Sequence, residues 1–387
     1  MDIFCHVVDN FGDIGVVYRF AKEFSAAFPV CRVRVFCDDL RPLSLMVPEL
    51  PRFNPTGKID GVTFVNTQAL DEGLVRTLGS SDVVIEAFGC DIPEVYKKVA
   101  LPGAAVWINL EHLSAEPWVQ GYHLRPSLQT VTIPKKYFFM PGFSENTGGV
   151  IIDSRIEREK PGLRQNRLLH LNGFFANFGI SVNENDLGIV GTVFTYQRGF
   201  DNLLSDLGTI GKDVYLFVLG DKSRLGMSET LNRAGARQVS DSHFAHGGIH
   251  VLMMPFIPQK DFDRLLCLTD FNMVRGEDSL VRAILAEKPF IWNAYLQDNK
   301  YHRVKVEALM DILSDYFEDH NIFSQYRELM MEFNDRVDES SQQTTCEDYR
   351  AFLGNMNKLE QGIRQISYFM TRKCNLVTKL SDFLAGI

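Results

Sequence analysis

The stretch IFCHVVDNFGDIGVVYRFAKEFSAAF, residues 3–28, decides the fold class. It begins with a short, largely apolar run at 3–8 and continues through a polar loop that contains two glycines. After the loop, apolar residues such as Val17, Phe20 and Phe24 recur at the spacing of one helix face. A strand, a short loop and an amphipathic helix in this order predict the first repeat of an open α/β sheet.

The same alternation of strands and helices recurs along the chain and predicts two parallel sheets. Near-continuous apolar strands separated by helices are typical of sheets that are buried on both faces. The predicted strands are 3–8, 32–37, 62–65, 82–87 and 105–110 in the first half, and 187–194, 214–219, 249–255, 271–274 and 290–294 in the second. We therefore expect two Rossmann-like domains of similar size with a cleft between them.

The domain boundary is predicted near Glu184, because residues 155–185 begin with a charged run and end in a polar turn. This assigns 1–184 to an N-terminal Rossmann-like domain and 185–365 to a C-terminal one. The C-terminal stretch 366–387 is amphipathic, and we expect it to pack back on the first domain.

The composition is that of an ordinary globular protein and excludes several classes of function. The 387 residues are 45% hydrophobic and 23% charged, and the formal net charge is -9, which argues against a nucleic-acid partner. No apolar run approaches the ~18 residues of a membrane span, and the N-terminus lacks the basic region of a secretory signal. Seven scattered cysteines without a CxxC pair predict neither disulfides nor a zinc site, so we expect a cytoplasmic protein.

The loop DNFGDIG at 9–15 is the first candidate site, because ligands of open α/β sheets bind at the carboxyl ends of the strands. Its glycines let a ligand approach the backbone, and Asp13 lies between them. The spacing is not that of a dinucleotide fingerprint, so NAD is poorly supported. The alternative is that Asp9, Asn10 and Asp13 cap the following helix.

The second candidate site is RGEDS at 275–279, where a predicted strand turns into a helix. Backbone N–H groups at a helix start bind anions, which suits a diphosphate, and Arg275 adds a guanidinium donor. Asp278 or Ser279 could cap the helix. Glu277 is interpreted as a sugar or acceptor contact, and the alternative is an acidic first turn that complements the helix dipole.

A third candidate site combines the loops after two other strands of the second half. Phe256 and Gln259 in PFIPQ offer an aromatic face and an amide for a nucleobase. Phe256 taken alone is more typical of a core residue. Tyr196 is expected to face the same cleft, whereas Trp292 is expected in the core.

Two metal-like patterns favour other interpretations. Asp261 and Asp263 form a DxD pair but precede apolar residues at helical spacing, which is typical of a first helical turn. His243, His246 and His250 lie close together in a glycine-rich run that does not favour a helix. We expect no metal site.

These loops, in this order, resemble one family: the bacterial protein-arginine rhamnosyltransferases that modify translation elongation factor P. The resemblance covers essentially the whole chain, and its most specific parts are DNFGDIGV at 9–16, PGFSENTGG at 141–149, PFIPQKDFDRLL at 255–266 and RGEDSLVRA at 275–283. It implies a GT-B fold, dTDP-β-L-rhamnose as donor and inversion at the sugar. The implied acceptor is an arginine of elongation factor P, whose modification relieves ribosome stalling at proline runs.

The resemblance also implies roles for single residues. Asp13 matches the family's general base and Glu277 its second essential acid. The positions that match donor contacts are Gly12, Ile14, Gly15, Tyr196, Phe256, Ile257, Gln259, Arg275, Asp278 and Ser279. Two alternatives stay open, a GT-B transferase for another nucleotide sugar and a small acceptor, and a non-catalytic nucleotide-sugar-binding protein.

Overall fold

The computed structural model describes residues 1–8, 11–49, 56–128, 134–335 and 347–387. They form two compact units. The first unit comprises Met1–Ser154 and Phe369–Ile387, and the second comprises Arg155–Tyr368. Elements are numbered along the whole chain.

A seven-stranded sheet forms the centre of the first unit, in the order β3-β4-β2-β1-β5-β6-β7. Its strands are β1 Asp2–Cys5, β2 Val33–Cys37, β3 Thr56–Ile59, β4 Val62–Asn66, β5 Val83–Ala87, β6 Val106–Leu110 and β7 Lys135–Phe139. Its helices are α1 Gly12–Ala27, α2 Arg41–Met46, α3 Glu72–Leu78, α4 Glu94–Val99, α5 Trp118–Tyr122 and α16 Leu376–Ala385.

The second unit is built around another seven-stranded sheet, in the order β10-β11-β12-β9-β8-β13-β14. Its strands are β8 Ile189–Val193, β9 Val214–Val218, β10 Arg237–Ser240, β11 His243–His246, β12 Ile249–Met253, β13 Phe271–Arg275 and β14 Phe290–Asn293. The helices are α6 Ser154–Gln165, α7 Arg167–Phe175, α8 Asp201–Leu207, α9 Asp221–Arg233, α10 Gln259–Leu268, α11 Glu277–Leu285, α12 Tyr301–Ser314, α13 His320–Phe333, α14 Arg350–Gly354 and α15 Met356–Lys373.

The predicted α/β fold with two Rossmann-like sheets is confirmed, and each predicted strand overlaps an observed one. The strands that follow the β-α-β pattern pair in parallel, for example β1 with β2 and with β5. Their side chains are buried on both faces of the sheet, as in β2 and β9, where every residue is buried. This burial explains why these strands are continuous apolar runs in the sequence.

Both sheets are mixed, which corrects the expectation of purely parallel sheets. Strand β3 pairs antiparallel with β4, and β10 and β11 continue antiparallel from β12. The turn between β3 and β4 is Asp60-Gly61, with φ of 51° and 79°, and the turn before β12 contains Gly247 with φ of 58°. Two-residue hairpins favour such left-handed conformations, so the DG and GG pairs are the sequence signals of these edges.

The structure divides the chain after Ser154 and not near Glu184, because α6 and α7 belong to the second unit. The charged run of α6 forms ion pairs there: Glu159 Oε2 lies 2.8 Å from Arg264 Nε, and Lys160 Nζ lies 2.9 Å from Glu287 Oε1. The charged run that contributed to the predicted boundary is therefore part of the second folded unit.

The C-terminal stretch contains two helices, separated at Asn375, rather than one. The side chain of Asn375 accepts from Val377 N at 3.0 Å and so caps α16. Just before it, Val150 N donates to Cys374 O at 2.7 Å. A Cβ at Gly149 would lie 2.3 Å from Cys374 O, so only glycine permits this approach. Helix α16 then buries Leu380 against the core beside α1.

No helix in the described ranges combines the length and the apolar character that crossing a membrane requires.

Candidate active site

Asp13 lies in the first turn of α1, next to the loop that follows β1. Helix α1 begins at Gly12, and the preceding Phe11 makes no side-chain capping bond. The half-buried Asp13 instead reaches back to the loop, where its Oδ2 accepts from Val8 N at 2.9 Å. Asp13 therefore braces the end of the strand rather than capping the helix, while Asp9 and Asn10 lie outside the described residues.

A second carboxylate braces the same loop from the end of β2. Asp38 Oδ1 accepts from Val7 N at 3.0 Å, and its Oδ2 lies 2.6 Å from His6 Nδ1. Two consecutive loop amides thus donate to two carboxylates, Val7 to Asp38 and Val8 to Asp13. This arrangement collects negative charge at the carboxyl end of β1, which suits a cationic ligand such as a guanidinium.

The other predicted residues of this loop differ in what they can offer a ligand. Gly12 is half-buried at the start of α1, whereas Ile14 is fully buried in the core of the first unit. Gly15 is buried and its N–H donates to Phe11 O at 3.2 Å. Any donor contact of Ile14 and Gly15 is therefore limited to the backbone.

The neighbouring thiols do not supply a nucleophile. Burial raises the pKa of the Cys5 thiol far above its usual range, and burial raises that of Cys90 to about 12. Both thiols stay protonated at neutral pH, so neither is a reactive thiolate.

Sequence reasoning missed an aromatic stack beside this loop. Strands β5 and β6 follow β1 in the sheet, and Phe88 and His112 come just after their carboxyl ends. The two rings stack with centroids 4.4 Å apart. Phe88 has φ of 61°, an unusual conformation for an aromatic residue that the surrounding structure must enforce.

In the second unit, the turn from β13 into α11 contains the predicted diphosphate site. Gly276 precedes the helix with φ of 72° and makes no side-chain cap. The prediction that Asp278 or Ser279 caps the helix is wrong. Asp278 Oδ1 instead lies 3.4 Å from Arg282 Nε, one turn further along. A helix start without a side-chain cap keeps its first N–H groups accessible to a bound anion.

Arg275 connects this turn to the loop after β8. Its Nη1 donates to Thr195 O at 3.2 Å, and its guanidinium carbon lies 4.7 Å from the Phe194 ring centroid and 4.9 Å from that of Tyr196. Two aromatic rings therefore hold the guanidinium by cation–π contacts. The structure thus brings together Arg275 and Tyr196, which the sequence analysis assigned to two separate candidate sites.

Two further residues contact Tyr196, and Lys222 among them was not found from the sequence. Lys222 Nζ, in the first turn of α9, lies 5.4 Å from the Tyr196 ring centroid. Tyr295 packs edge to face on Tyr196, with centroids 5.6 Å apart. Lys222 adds a second cation near Arg275, and only the fold brings these distant residues together.

Glu277 is the first residue of α11 and is about one-third exposed. Its Oε1 lies 3.9 Å from Lys305 Nζ on α12, at a side-chain exposure of 30%. An acidic first turn complements the helix dipole, so this position fits the structural alternative as well as a ligand contact.

The loop after β12 carries the predicted base-binding residues. Phe256 is 55% exposed, so the interpretation as a core residue is wrong. Gln259 begins α10, whose Phe262 packs on Phe194 with centroids 5.4 Å apart. Because Phe194 also lies under Arg275, the start of α10 adjoins the cation cluster.

A cavity of about 790 Å³ lies beside this loop in the second unit. Ile257, Met254, Asp261 and Arg264 belong to its lining, together with residues of α7. Phe256 and Gln259 are outside the lining, so of the three donor contacts that the resemblance implies in this loop only the half-buried Ile257 faces the cavity.

Neither metal-like pattern assembles a metal site within the described ranges. No group of three or more His, Cys, Asp or Glu side chains with suitable geometry occurs there. Asp261 lies in the first turn of α10, as predicted. His243 and His250 face each other across a hairpin, with Nε2 and Nδ1 3.0 Å apart.

The comparison with known families identifies the chain. Residues 1–385 match the sequence model of one family, described as Elongation-Factor P (EF-P) rhamnosyltransferase EarP. The chain belongs to this family. The resemblance predicted from the loop motifs is therefore confirmed, and the chain is a member of a glycosyltransferase family with the GT-B fold.

Individual relatives agree with this membership. A protein-arginine rhamnosyltransferase of Pseudomonas putida is 36% identical over 320 residues, 80% of each chain. One of Neisseria meningitidis serogroup B is 30% identical and aligns with 99% of this chain and 96% of its own. A solved structure from work on the structural basis for EarP-mediated arginine glycosylation of translation elongation factor EF-P has a TM-score of 0.64 at 24% identity, covering 100% of this chain and 98% of its own. That likeness concerns the fold.

Proposed function

We propose that the chain transfers L-rhamnose from dTDP-β-L-rhamnose to an arginine side chain of translation elongation factor P, with inversion and without a metal ion. The observation that carries the proposal is the family match over residues 1–385, within which the loop motifs lie at the carboxyl ends of the strands. The modified factor then relieves ribosome stalling at proline runs.

The acceptor is chemically difficult, because a guanidinium is protonated at neutral pH and lacks a localised lone pair. One nitrogen must be oriented, and its proton must leave as the bond to the anomeric carbon forms. Asp13 is the proposed base. A carboxylate pairs with a guanidinium and can accept its proton, and Val8 N fixes the orientation of Asp13.

The leaving group is dTDP, which departs as the C–N bond forms and the C–O bond breaks. Arg275 and the N–H groups at the start of α11, at Asp278 and Ser279, stabilise the negative charge that develops on the diphosphate. Attack from the face opposite to the diphosphate converts a β-linked donor into an α-linked product.

The residues that contact the rest of the donor are assigned from the chemistry of their side chains. Phe256, Ile257 and Gln259 offer an aromatic face, an apolar contact and an amide to the thymine. Tyr196 lies against Arg275 and bounds the diphosphate. Glu277 orients the sugar or the guanidinium. Gly12, Ile14 and Gly15 contribute backbone contacts.

Metal independence rests on the chemistry of the leaving group. A nucleoside diphosphate is weakly basic, and two cations with a helix start can neutralise it without Mg²⁺ or Mn²⁺. The acceptor is a translation factor, which implies that the enzyme acts in the cytoplasm.

The test is intact-mass spectrometry of elongation factor P after incubation with the chain and dTDP-rhamnose. We expect a gain of one deoxyhexose, which disappears when the acceptor arginine is replaced by lysine. Transfer should be unchanged in EDTA. Loss of transfer on chelation that Mn²⁺ or Mg²⁺ restores would contradict the metal-independent mechanism.

The same assay separates the two alternatives. Transfer from another nucleotide sugar to a small acceptor, with no modified elongation factor P, would indicate a different transferase. Binding of dTDP-rhamnose without turnover on any acceptor would indicate a nucleotide-sugar-binding protein.

A further inference from the structure

The end of β14 contacts both loops of the candidate donor site in the second unit. Residues 292–295, which we call the β14 end segment, include Trp292, Asn293 and Tyr295. Strand β14 pairs in parallel with β13, and Asn293 lies opposite Arg275. The segment is therefore a direct neighbour of the turn into α11.

Trp292 holds the turn at the start of α11. Its indole Nε1 donates to Gly276 O at 3.0 Å, and the side chain is buried at 6% exposure. Gly276 is the residue that directs the chain into the helix with a positive φ. The indole thus fixes the peptide unit from which the first N–H groups of α11 project.

Asn293 holds the loop after β8. Its Oδ1 accepts from Tyr196 N at 3.0 Å, and the side chain is 5% exposed. Tyr295 completes the contact by packing on the Tyr196 ring. The backbone and the ring of Tyr196 are therefore both held by the β14 end segment.

A buried asparagine in turn fixes the segment. Asn334 follows α13 and is 1% exposed. Its Nδ2 donates to Trp292 O at 2.8 Å, and its Oδ1 accepts from Ala294 N at 2.9 Å. These bonds on both sides of Asn293 restrict the segment to one backbone conformation.

We propose that Trp292 and Asn293 are positioning residues for the nucleotide-sugar donor: they fix the turn at Gly276 and the loop of Tyr196 in position relative to each other. The identity of the ligand rests on the proposed function. The claim that the two residues order the two loops rests only on the hydrogen bonds described above. Neither residue needs to touch the donor.

The variants remove one hydrogen bond each. Trp292→Phe deletes the indole N–H and keeps an aromatic ring, while Asn293→Leu deletes the acceptor of Tyr196 N at similar volume. Tyr326→Phe is the matched control. The buried Tyr326 hydroxyl donates to Phe290 O at 2.6 Å, at the other end of the same strand. All three variants lose one buried hydrogen bond on β14.

The first measurement is hydrogen–deuterium exchange of the nucleotide-free protein. We expect faster exchange of the Tyr196 amide in Asn293→Leu, and near-native exchange in Asn293→Asp, which keeps an oxygen acceptor. Tyr326→Phe should leave this amide protected. Equal protection of the Tyr196 amide in wild type and Asn293→Leu would overturn the proposal whatever the protein's substrate.

The second measurement is calorimetric binding of dTDP, followed by transfer kinetics. We expect Trp292→Phe and Asn293→Leu to weaken dTDP about 5- to 50-fold and to raise the donor KM by a similar factor. The acceptor KM should not change, and kcat should fall less than the donor KM rises. Tyr326→Phe should bind dTDP like wild type. If Tyr326→Phe weakens dTDP equally, the effect is one of general stability and the proposal is wrong.

The outcomes also separate this proposal from the proposed function. A wild-type chain that binds dTDP but does not modify elongation factor P contradicts the proposed function, while the dTDP affinities of the variants still decide the positioning role. If wild type binds no dTDP, the donor assignment fails with the proposed function, and the amide exchange decides the ordering of the loops.

Discussion

The carboxyl ends of the two sheets present opposite chemistry. In the first unit, two carboxylates lie beside the loop that follows β1: Asp13 accepts from Val8 N, and Asp38 accepts from Val7 N and lies 2.6 Å from His6 Nδ1. In the second, Arg275 and Lys222 lie against Tyr196, beside a helix start without a side-chain cap. The first edge suits a cation, and the second suits an anion.

This difference matches the two chemical demands of the proposed rhamnosyl transfer to arginine. The acceptor is a cation that must lose a proton, and the leaving group is an anion that must be stabilised. A single edge of either kind would favour one reactant and repel the other. Glu277 and Asp278 are exceptions, because they place carboxylates at the anion-binding edge.

The largest expected effect is that of Asp13→Asn. The amide keeps an oxygen for Val8 N but cannot take a proton, so transfer should fall ~10²- to 10⁴-fold, the usual contribution of a positioned base. Binding of dTDP should change little. Single-turnover transfer at saturating donor, measured by intact mass, checks the rate, and calorimetry checks the binding.

Asp38→Asn is the matched control for Asp13→Asn, since Asp38 accepts the preceding loop amide in the same way. Transfer should fall only a few-fold in this variant. Equal losses in both variants would mean that Asp13 acts only by bracing the loop. If Asp13→Asn loses dTDP-rhamnose binding and keeps the single-turnover rate, the residue is a donor contact and Glu277 becomes the first candidate for the base.

The next effect is that of Glu277→Gln. A polar isostere at a helix start costs little stability, so the protein should fold normally. Because Glu277 is assigned to orient the sugar or the guanidinium, we expect transfer to fall about 10- to 100-fold. Thermal melting and transfer assays distinguish the roles. Near-native turnover would reduce Glu277 to a residue that complements the helix dipole.

A smaller effect is expected for Lys222→Met, which removes one of the two cations at the second edge. The variant keeps the length of the side chain, and dTDP should bind about 3- to 10-fold more weakly, with a weaker dependence of affinity on salt. Calorimetry at two salt concentrations measures both. Arg233→Met, in the last turn of the same helix and paired with Asp201, is the control and should bind dTDP normally. An unchanged affinity in Lys222→Met would leave Arg275 and the helix start as the only anion-binding groups.

The sequence predicts the elements of both sheets that bury apolar residues on two faces, and the loops at their carboxyl ends. It does not predict β10, whose four residues are all exposed, because an edge strand lacks the apolar run on which the prediction depends. The sequence assigns the charged α6 to the first domain, since its ion-pair partners Arg264 and Glu287 lie more than one hundred residues away in the chain.

The residues of the candidate site also divide into those that the sequence reveals and those that only the fold brings together. Asp13 and Arg275 could be found because glycines and strand ends flank them in the sequence. Lys222 could not, and neither could the contacts of Tyr295 and Asn293 with Tyr196, because these relations exist only after β8, β9 and β14 have joined one sheet. The sequence placed Asp278 at the helix start but did not predict its partner. Both a capping hydrogen bond and an ion pair with Arg282 are compatible with the same sequence.

The smallest effect concerns Glu287, which follows the end of α11 and contrasts with Glu277 at the start of that helix. Burial opposes ionisation of Glu287, but Lys160 and Arg164 outweigh it and hold the pKa of the carboxyl below its ordinary value. A carboxyl whose pKa is lowered in the folded state stabilises the protein at pH values above its ordinary pKa, and this stabilisation is lost as the pH falls through the pKa of the folded state.

Glu287→Gln should therefore lower the free energy of unfolding by about 1–2 kcal/mol near neutral pH, and by less in acid below about pH 4. Urea unfolding at the two pH values measures the difference, and dTDP binding should stay native because Glu287 follows the far end of the helix. A loss of stability that is equal at both pH values would assign the effect to packing rather than to charge.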